Sequence, residues 1–236
     1  MIIAAIVAGG SGSRMGTELP KQFMELEGVP VIVRTVRAFL SHSSVDAAII
    51  GINPSYYDYA RTLPGLYDQD GRVHITMGGP DRNSTIENII GYAISHLGCT
   101  DQDVVLSHDA VRPFVSPRMI SDSISAMETC EICTTAIPET DTVAVADKAL
   151  NVSSFPDRST LYRVQTPQTF RIGSFLKVWT PLTPAEKARA TDVCSLYRQC
   201  GYNIRLIQGE LTNIKLTYPE DVSFAQAIIH KAELCQ

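Results

Sequence analysis

The chain has 236 residues, of which 44% are hydrophobic and 19% are charged, with a formal net charge of −5 at pH 7. This is the composition of an ordinary globular protein, and the acidic balance argues against a nucleic-acid-binding surface. No segment approaches the ~18 uninterrupted apolar residues of a membrane span, so we expect a cytoplasmic protein that does not enter the membrane. The six cysteines show no spacing typical of a disulfide framework or a zinc site.

Strand and helix patterns alternate through the first half of the chain. Short apolar runs typical of buried strands occupy residues 2–7, 47–52, 73–77, 104–107 and 133–138. Helical periodicity occupies residues 29–41, 54–63, 81–97 and 117–129. The alternation predicts an α/β fold with a doubly wound, mainly parallel sheet, in which ligands bind beyond the carboxyl ends of the strands.

The alternation stops after Pro138. Residues 139–164 are polar, rich in β-forming residues and without a helical pattern, which predicts a projecting β-arm inserted into a single domain spanning residues 1–236. Helical patterns return near residues 173–179, 186–200 and 219–232. Between the last two, the sequence predicts a strand at 203–208 and a further late strand ending at Lys215.

A glycine-rich loop directly follows the first predicted strand and reads A-G-G-S-G-S-R-M-G over residues 8–16. Closely spaced glycines let successive backbone N–H groups turn toward an anion. Arg14 and Lys21 add two cations, as a polyphosphate requires. The third glycine of a dinucleotide fingerprint falls on Met15, and Gly16 is not followed by the Lys-Ser/Thr of a P-loop.

Further motifs follow this loop along the chain. They are G-G-P-D-R-N-S-T at 78–85, H-D-A-V-R-P at 108–113, D-T at 141–142, D-R at 157–158, Q-T-P-Q at 165–168, T-D at 191–192 and N-I-K-L-T at 213–217. With the loop, they resemble the cytidylyltransferase family of methylerythritol phosphate and ribitol 5-phosphate enzymes over almost the whole chain. The resemblance implies a Rossmann-like nucleotidyltransferase fold and an enzyme that transfers CMP from CTP to a polyol phosphate, with Mg²⁺ as cofactor and pyrophosphate as the leaving group.

The resemblance also implies which residues bind the nucleotide. These are Ala8, Gly9, Gly10, Gly12, Gly79, Asp81, Arg82 and Thr85. Arg14, Lys21 and Lys215 would be catalytic, because a phosphate nucleophile is already an anion and needs orientation and charge neutralisation rather than a base. For this reason, and because its side chain should point away from that of Asp109, His108 is not expected to act as a general base.

The same resemblance implies acceptor contacts from Asp109, Arg112, Thr142, Arg158 and Thr191. Asp109 would face the acceptor hydroxyls or the metal, although CTP phosphates would hold most of the Mg²⁺. Thr142 and Arg158 lie in the arm, which in the resembled family embraces a second subunit, so a homodimer is implied. Structural interpretations remain open beside these roles: an ion pair between Asp109 and Arg112, a solvated Arg158, and helix N-caps at 81–85 and 191–192.

Smaller differences point to one acceptor. The A-G-G of the loop, the H-D-A-V-R-P-F segment at 108–114 and the L-T-P-A-E-K segment at 182–187 resemble the ribitol 5-phosphate branch. That branch implies CDP-ribitol as product, a precursor of cell-wall teichoic acid or polysaccharide. None of these differences has a physical link to ribitol, so 2-C-methyl-D-erythritol 4-phosphate of isoprenoid synthesis remains the alternative acceptor.

Other classes of protein remain as remoter alternatives. A UTP- or GTP-dependent enzyme acting on sugar 1-phosphates shares the opening loop, but the arm and the N-I-K-L-T segment argue against it. A catalytically silent nucleotide-binding subunit predicts the loss of a cation at Arg14, Lys21, Arg158 or Lys215, and all four are present. A dehydrogenase is disfavoured by the failed dinucleotide fingerprint.

Overall fold

The computed structural model describes residues 1–10, 19–67 and 70–233. Numbered in chain order, its strands are β1 (Ile2–Ala8), β2 (Glu25–Leu26), β3 (Val29–Pro30), β4 (Ala47–Ile52), β5 (Val73–Met77), β6 (Val104–Asp109), β7 (Ile132–Pro138), β8 (Val145–Ala146), β9 (Val152–Ser154), β10 (Tyr162–Arg171) and β11 (Arg205–Gln208). The α-helices are α1 (Val31–Leu40), α2 (Tyr57–Arg61), α3 (Arg82–Leu97), α4 (Pro117–Ala126), α5 (Ile172–Trp179), α6 (Pro184–Lys187), α7 (Val193–Gln199) and α8 (Glu220–Glu233).

In this part of the chain, seven strands form one sheet in the order β11-β7-β10-β6-β1-β4-β5. The pairs β6–β1, β1–β4, β4–β5 and β11–β7 are parallel. Strand β10 is antiparallel to both of its neighbours, β6 and β7. The prediction of a mainly parallel α/β sheet is therefore confirmed.

Helices cover both faces of this sheet, which explains why the inner strands β1 and β4 are apolar along their whole length. On one face, Phe39 of α1 belongs to a buried cluster with alternate residues of β1 and β4. On the other face, α3, α5 and α7 pack on the sheet around Phe170, Phe175 and Trp179. Because both faces are closed, a ligand can approach these strands only at their ends.

Three predictions about elements are corrected by the structure. Residues 162–171 form β10, which the sequence did not indicate because Pro167 breaks the strand pattern. The pairing of β10 with β7 shifts in register between Val164 and Gln168, on either side of this proline. The predicted helix at 186–200 is divided into α6 and α7, each with its own N-terminal cap. The late strand predicted to end at Lys215 is absent from the described residues, and residues 213–216 are not part of any sheet.

The arm contains the antiparallel hairpin β8–β9, and residues 162–164 of its predicted span belong to β10. Several of its apolar side chains face solvent: Leu150 is 84% exposed, Phe155 66% and Val152 53%. Among the described residues, no helix combines the length and apolar character needed to cross a bilayer. The cysteines of this part of the chain are all unpaired, as expected.

Candidate active site

A cavity of about 330 Å³ opens at the carboxyl ends of β1 and β6. Its lining residues are Val7, Ala8, Gly9, Gly10, Lys21, Gln22, Gly79, Pro80, Asp81, Arg82, Thr85, Asp109, Ala110, Val111 and Lys215. The start of the glycine-rich loop, the 78–85 segment after β5 and the end of β6 thus all line this cavity. We call it the first cavity. Gly12 and Arg14, which the resemblance placed beside it, lie outside the described residues.

Two amide side chains hold the first residues of the glycine-rich loop. Gln22 is 2% exposed and donates from Nε2 to the carbonyl oxygens of Ala8, at 3.2 Å, and Gly10, at 3.1 Å. Asn53 donates from Nδ2 to the carbonyl oxygen of Gly9 at 3.1 Å. These bonds fix the carbonyl groups of residues 8–10 before any ligand arrives. This function of Gln22 was not predicted from the sequence, although the residue directly follows the predicted catalytic Lys21.

The segment after β5 turns tightly into α3. Asp81 caps the helix by accepting from the Ser84 backbone N at 2.8 Å, which confirms one of the alternative interpretations of this motif. Thr85 Oγ1 accepts from Gly79 N at 3.0 Å and donates to the Asp81 carbonyl oxygen at 2.8 Å. These two hydrogen bonds hold the backbone of the turn in place. A Cβ added at Gly79 would lie 2.5 Å from the Cβ of Ser84. Only glycine therefore fits at this point of the cavity wall.

Three cationic side chains surround the carboxylate of Asp109. Lys215 Nζ lies 2.9 Å from Oδ2, Arg112 Nε lies 3.4 Å from Oδ2, and Arg82 Nε lies 3.4 Å from Oδ1. Arg82 and Arg112 are largely buried, whereas the Lys215 side chain is 44% exposed. With one carboxylate among three cations, this cluster has two excess positive charges, and Arg82 and Lys215 line the first cavity. Such a wall favours a polyanionic ligand.

The cluster holds the Asp109 carboxyl in its ionised form. Burial alone would raise the pKa of Asp109, but the charges of Arg82, Lys215 and Arg112 outweigh burial and hold that pKa well below its usual range. A carboxylate in this state does not accept a proton near neutral pH. This charge state suits a carboxylate that orients the three cations and does not suit a general acid or base.

A second cavity of about 270 Å³ lies on the other side of this cluster. Its lining residues are Arg82, Asp109, Arg112, Val164, Gln165, Thr166, Gln168, Thr191, Asp192 and Lys215. Arg82, Asp109 and Lys215 line both cavities and form the partition between them. Two ligands bound side by side would therefore meet at this partition.

Lys215 lies at the partition because hydrogen bonds from buried amide side chains hold its segment in place. Asn213, which is fully buried, donates from Nδ2 to the Thr166 carbonyl oxygen at 2.9 Å. Gln165 donates from Nε2 to the Glu210 carbonyl oxygen at 2.8 Å. These contacts take the place of sheet pairing in the late strand that the sequence predicted to end at Lys215. No function was predicted for Asn213 or Gln165, although both belong to motifs that carry the family resemblance.

His108 lies on the opposite face of β6 and is fully buried. Its Nε2 donates to the Arg112 carbonyl oxygen at 3.0 Å, and its Nδ1 accepts from Thr166 Oγ1 at 2.9 Å. Burial lowers the pKa of His108 to about 4, so the ring is neutral at pH 7. This geometry agrees with the expectation that His108 does not act as a general base.

The remaining predicted acceptor residues divide into two groups. Thr191 lines the second cavity, directly before Asp192, which caps α7 by accepting from Ser195 N at 2.7 Å. The N-cap predicted at 191–192 is therefore confirmed at Asp192. Thr142 and Arg158 lie in the arm and do not line either cavity of the single chain. Arg158 is exposed and donates from Nη1 to the Thr140 carbonyl oxygen at 3.0 Å.

Comparison with known proteins places this architecture in a family. The chain matches the family model described as 2-C-methyl-D-erythritol 4-phosphate cytidylyltransferase (IspD) over residues 2–231. A protein of Lactiplantibacillus plantarum named ribitol-5-phosphate cytidylyltransferase is 37% identical over 232 residues, with 98% of this chain and 99% of the relative covered. A protein of the same name from Streptococcus pneumoniae serotype 2 is 36% identical over 236 residues, with 98% of this chain and 100% of the relative covered.

A solved structure agrees with these matches. The crystal structure of 4-diphosphocytidyl-2C-methyl-D-erythritol synthase from Anaerococcus prevotii is 27% identical and covers 98% of both chains, with a TM-score of 0.76. Fold and cavities together define a nucleotidyltransferase, in which residues 8–10 and the cationic partition line one cavity. Within that class, the chain belongs to the 2-C-methyl-D-erythritol 4-phosphate cytidylyltransferase family, and it is a cytidylyltransferase enzyme.

Proposed function

We propose that this enzyme transfers the CMP group of CTP to D-ribitol 5-phosphate and releases pyrophosphate, so that CDP-ribitol is the product. The observation that carries this proposal is the partition shared by two adjoining cavities. A group transfer between two phosphate esters needs two polyanions held in line with charge neutralisation at the point where they meet. The excess positive charge of Arg82, Arg112 and Lys215 around Asp109 lies at that point.

The first cavity suits the nucleotide. Backbone groups of residues 8–10 and Gly79, which has no side chain, would allow a planar base to approach closely, and Lys21, which lines the same cavity, would contact the phosphates. An oxygen of the acceptor phosphate attacks the α-phosphorus of CTP; the new P–O bond forms as the bond to pyrophosphate breaks. Because the attacking oxygen is already anionic, no side chain needs to remove a proton. The cations lower the barrier by stabilising charge on the transferring phosphoryl group.

The second cavity suits an acceptor with many hydroxyl groups. Its lining is polar apart from Val164 and includes the hydroxyl of Thr191 and the side chains of Gln165 and Asp192. A methyl-branched acceptor favours an apolar wall, whereas a linear pentitol favours polar partners. The names of the two relatives at 36–37% identity support the same acceptor. The product would be an activated ribitol unit for cell-wall teichoic acid or polysaccharide.

The competing acceptor is 2-C-methyl-D-erythritol 4-phosphate, which the family model's description favours. Pyrophosphate release measured with CTP and each acceptor separates the two. A kcat/KM for ribitol 5-phosphate at least about tenfold higher, equivalent to ~1.4 kcal/mol, would support the proposal. The reverse preference would assign the protein to isoprenoid synthesis and refute it.

The donor set is compatible with Mg²⁺ as the cofactor. Among the described residues, no group of three or more His, Cys, Asp or Glu side chains is placed to hold a metal. Mg²⁺ commonly binds through one or two carboxylates together with substrate phosphates and water. Asp109 is the candidate protein ligand, although its oxygens already face three cations, so CTP phosphates would supply most of the coordination. Bound Mg²⁺ would add positive charge at the phosphates.

We also propose a homodimer that forms through the arm at residues 139–164. The exposed apolar side chains Leu150, Val152 and Phe155 support this assembly, because a second copy would remove them from water. It would also bring Thr142 and Arg158 to the second cavity of the partner, as the family resemblance implies. Light scattering at assay concentration should give twice the chain mass, and a monomer would refute the proposal.

A further inference from the structure

Arg82 occupies a special position, because its guanidinium lines both cavities. A side chain as long as arginine has many rotamers, so its place in the partition has to be imposed by its neighbours. Asp109 accepts from Nε, and Ser107 Oγ accepts from Nη2 at 3.2 Å. The third neighbour is Gln168 of β10, whose Oε1 accepts from Nη1 at 3.0 Å.

The orientation of the Gln168 amide follows from chemistry. A guanidinium can only donate and a carboxylate can only accept. Gln168 is 1% exposed and lies between one of each: Oε1 faces Arg82, and Nε2 donates to Asp192 Oδ2 at 2.6 Å. Only this orientation of the amide lets its oxygen accept from Arg82 and its nitrogen donate to Asp192.

Asp192 is itself held rigidly. Its Oδ1 accepts from the backbone N of Ser195 at the start of α7, which leaves Oδ2 for Gln168. A second link joins the same elements, because Asn83 Nδ2 donates to the Ala190 carbonyl oxygen at 3.0 Å. The beginning of α3, beside the first cavity, is thus tied at two points to the loop that precedes α7, beside the second cavity.

We propose that Gln168 is a positioning residue that, supported by Asp192, fixes the guanidinium of Arg82 so that one cation serves both substrates. This assignment rests on the proposed cytidylyl transfer. A neutral amide is suited to this position because it accepts from Arg82 without neutralising it, so the positive charge remains available to phosphate. A carboxylate in its place would add a second negative group beside Arg82 and face the carboxylate of Asp192.

The test is a pair exchange at positions that face each other. Gln168→Glu places two carboxylates 2.6 Å apart in a buried site, whereas Gln168→Glu combined with Asp192→Asn restores one donor and one acceptor at the same net charge. The introduced asparagine also retains an N-cap for α7. Gln168→Met removes both hydrogen bonds without adding charge. Gln102→Met, at an exposed position away from both cavities, is the matched control.

For each variant, kcat and both KM values are measured, together with the Kd for CTP by calorimetry and the melting temperature. We expect Gln168→Glu to lower kcat/KM about 30-fold or more, since hydrogen bonds to charged groups are lost, and Gln168→Met to raise both KM values together. The double variant should recover about tenfold of the loss. Gln102→Met should behave as wild type.

Two results would overturn the assignment. One is a Gln168→Glu variant that folds and keeps the kcat/KM of wild type. The other is a Gln168→Met variant with a lower melting temperature but unchanged KM values, which would make Gln168 a structural residue only. Should Gln168→Glu fail to fold, Gln168→Met and the Kd for CTP still decide the question. An inactive wild-type enzyme that binds CTP would count against the proposed acceptor and not against Gln168.

Discussion

Replacement of Asp109 by asparagine tests the cationic partition most directly. The substitution keeps the size of the side chain but removes the single negative charge that separates Arg82, Arg112 and Lys215. Three cations then face one another around a neutral amide. Both the stability of the fold and its affinity for anions should change, in opposite directions.

The size of the effect follows from burial. Removing one partner of a buried ion pair typically destabilises a protein by about 3–5 kcal/mol. Lys215 is 44% exposed, so solvent screens its share, and we expect a loss of about 3 kcal/mol in the free energy of unfolding. For a chain of this length, each kcal/mol corresponds to about 2–4 °C, which predicts a melting temperature lower by about 6–12 °C.

Thermal unfolding at pH 7, followed by circular dichroism, measures this loss. Asp122→Asn is the matched control, because its pair with Arg118 is exposed and contributes little. Added pyrophosphate should stabilise Asp109→Asn more than wild type, since an anion replaces the missing charge; at a hundred times its Kd it restores about 2.7 kcal/mol. A melting temperature within about 2 °C of wild type would refute this reasoning, as would a smaller effect of pyrophosphate on the variant than on wild type.

Four further predictions concern single residues. Lys21→Ala should fold normally but lose about two or more orders of magnitude in turnover, because a charge at the reacting phosphate is removed; near-normal turnover would exclude Lys21 from the mechanism. Arg158→Ala should raise the KM for the acceptor more than that for CTP, and equal effects in steady-state kinetics would contradict an acceptor contact. Gly79→Ala should weaken CTP binding about tenfold by calorimetry, because the added Cβ would lie 2.5 Å from the Cβ of Ser84. An unchanged affinity would show that the cavity wall moves to accommodate the methyl group. The free energy of unfolding should fall as the pH drops from about 6.5, the ordinary pKa of the ring, to about 4, because the unfolded chain protonates His108 before the folded protein does. This part of the fall should be absent in His108→Gln, and an identical pH profile would contradict it.

Much of the α/β framework could be predicted from the sequence alone. The strands β1 and β4 are continuous apolar runs because helices cover both faces of the sheet, and such runs are visible locally. The caps of α3 and α7 were also visible, since Asp81 and Asp192 bond to backbone groups only three residues away. Interactions of this kind depend only on residues that are close together along the chain.

The antiparallel strand β10 and the structure of residues 213–216 could not be predicted from local sequence patterns. Residues 162–171 contain Pro167, and only pairing with β6 on one side and β7 on the other makes them a strand. Residues 213–216 have a strand-like sequence, but Asn213 bonds to the Thr166 carbonyl oxygen and thereby keeps the segment out of the sheet. In both places, contacts between distant parts of the chain override the local pattern.

The glycine-rich loop, its cations and the polyphosphate chemistry could be inferred from the residues themselves, and the family resemblance added the acceptor side. What the tertiary structure decided is the partition. Arg82, Asp109 and Lys215 come from three distant segments, and the amide of Gln168 in β10 accepts from Arg82. Together these three side chains place one excess positive charge between the two cavities, and Arg112 adds a second at the wall of the second cavity. That balance depends on distances of about 3 Å, which no spacing along the chain can specify.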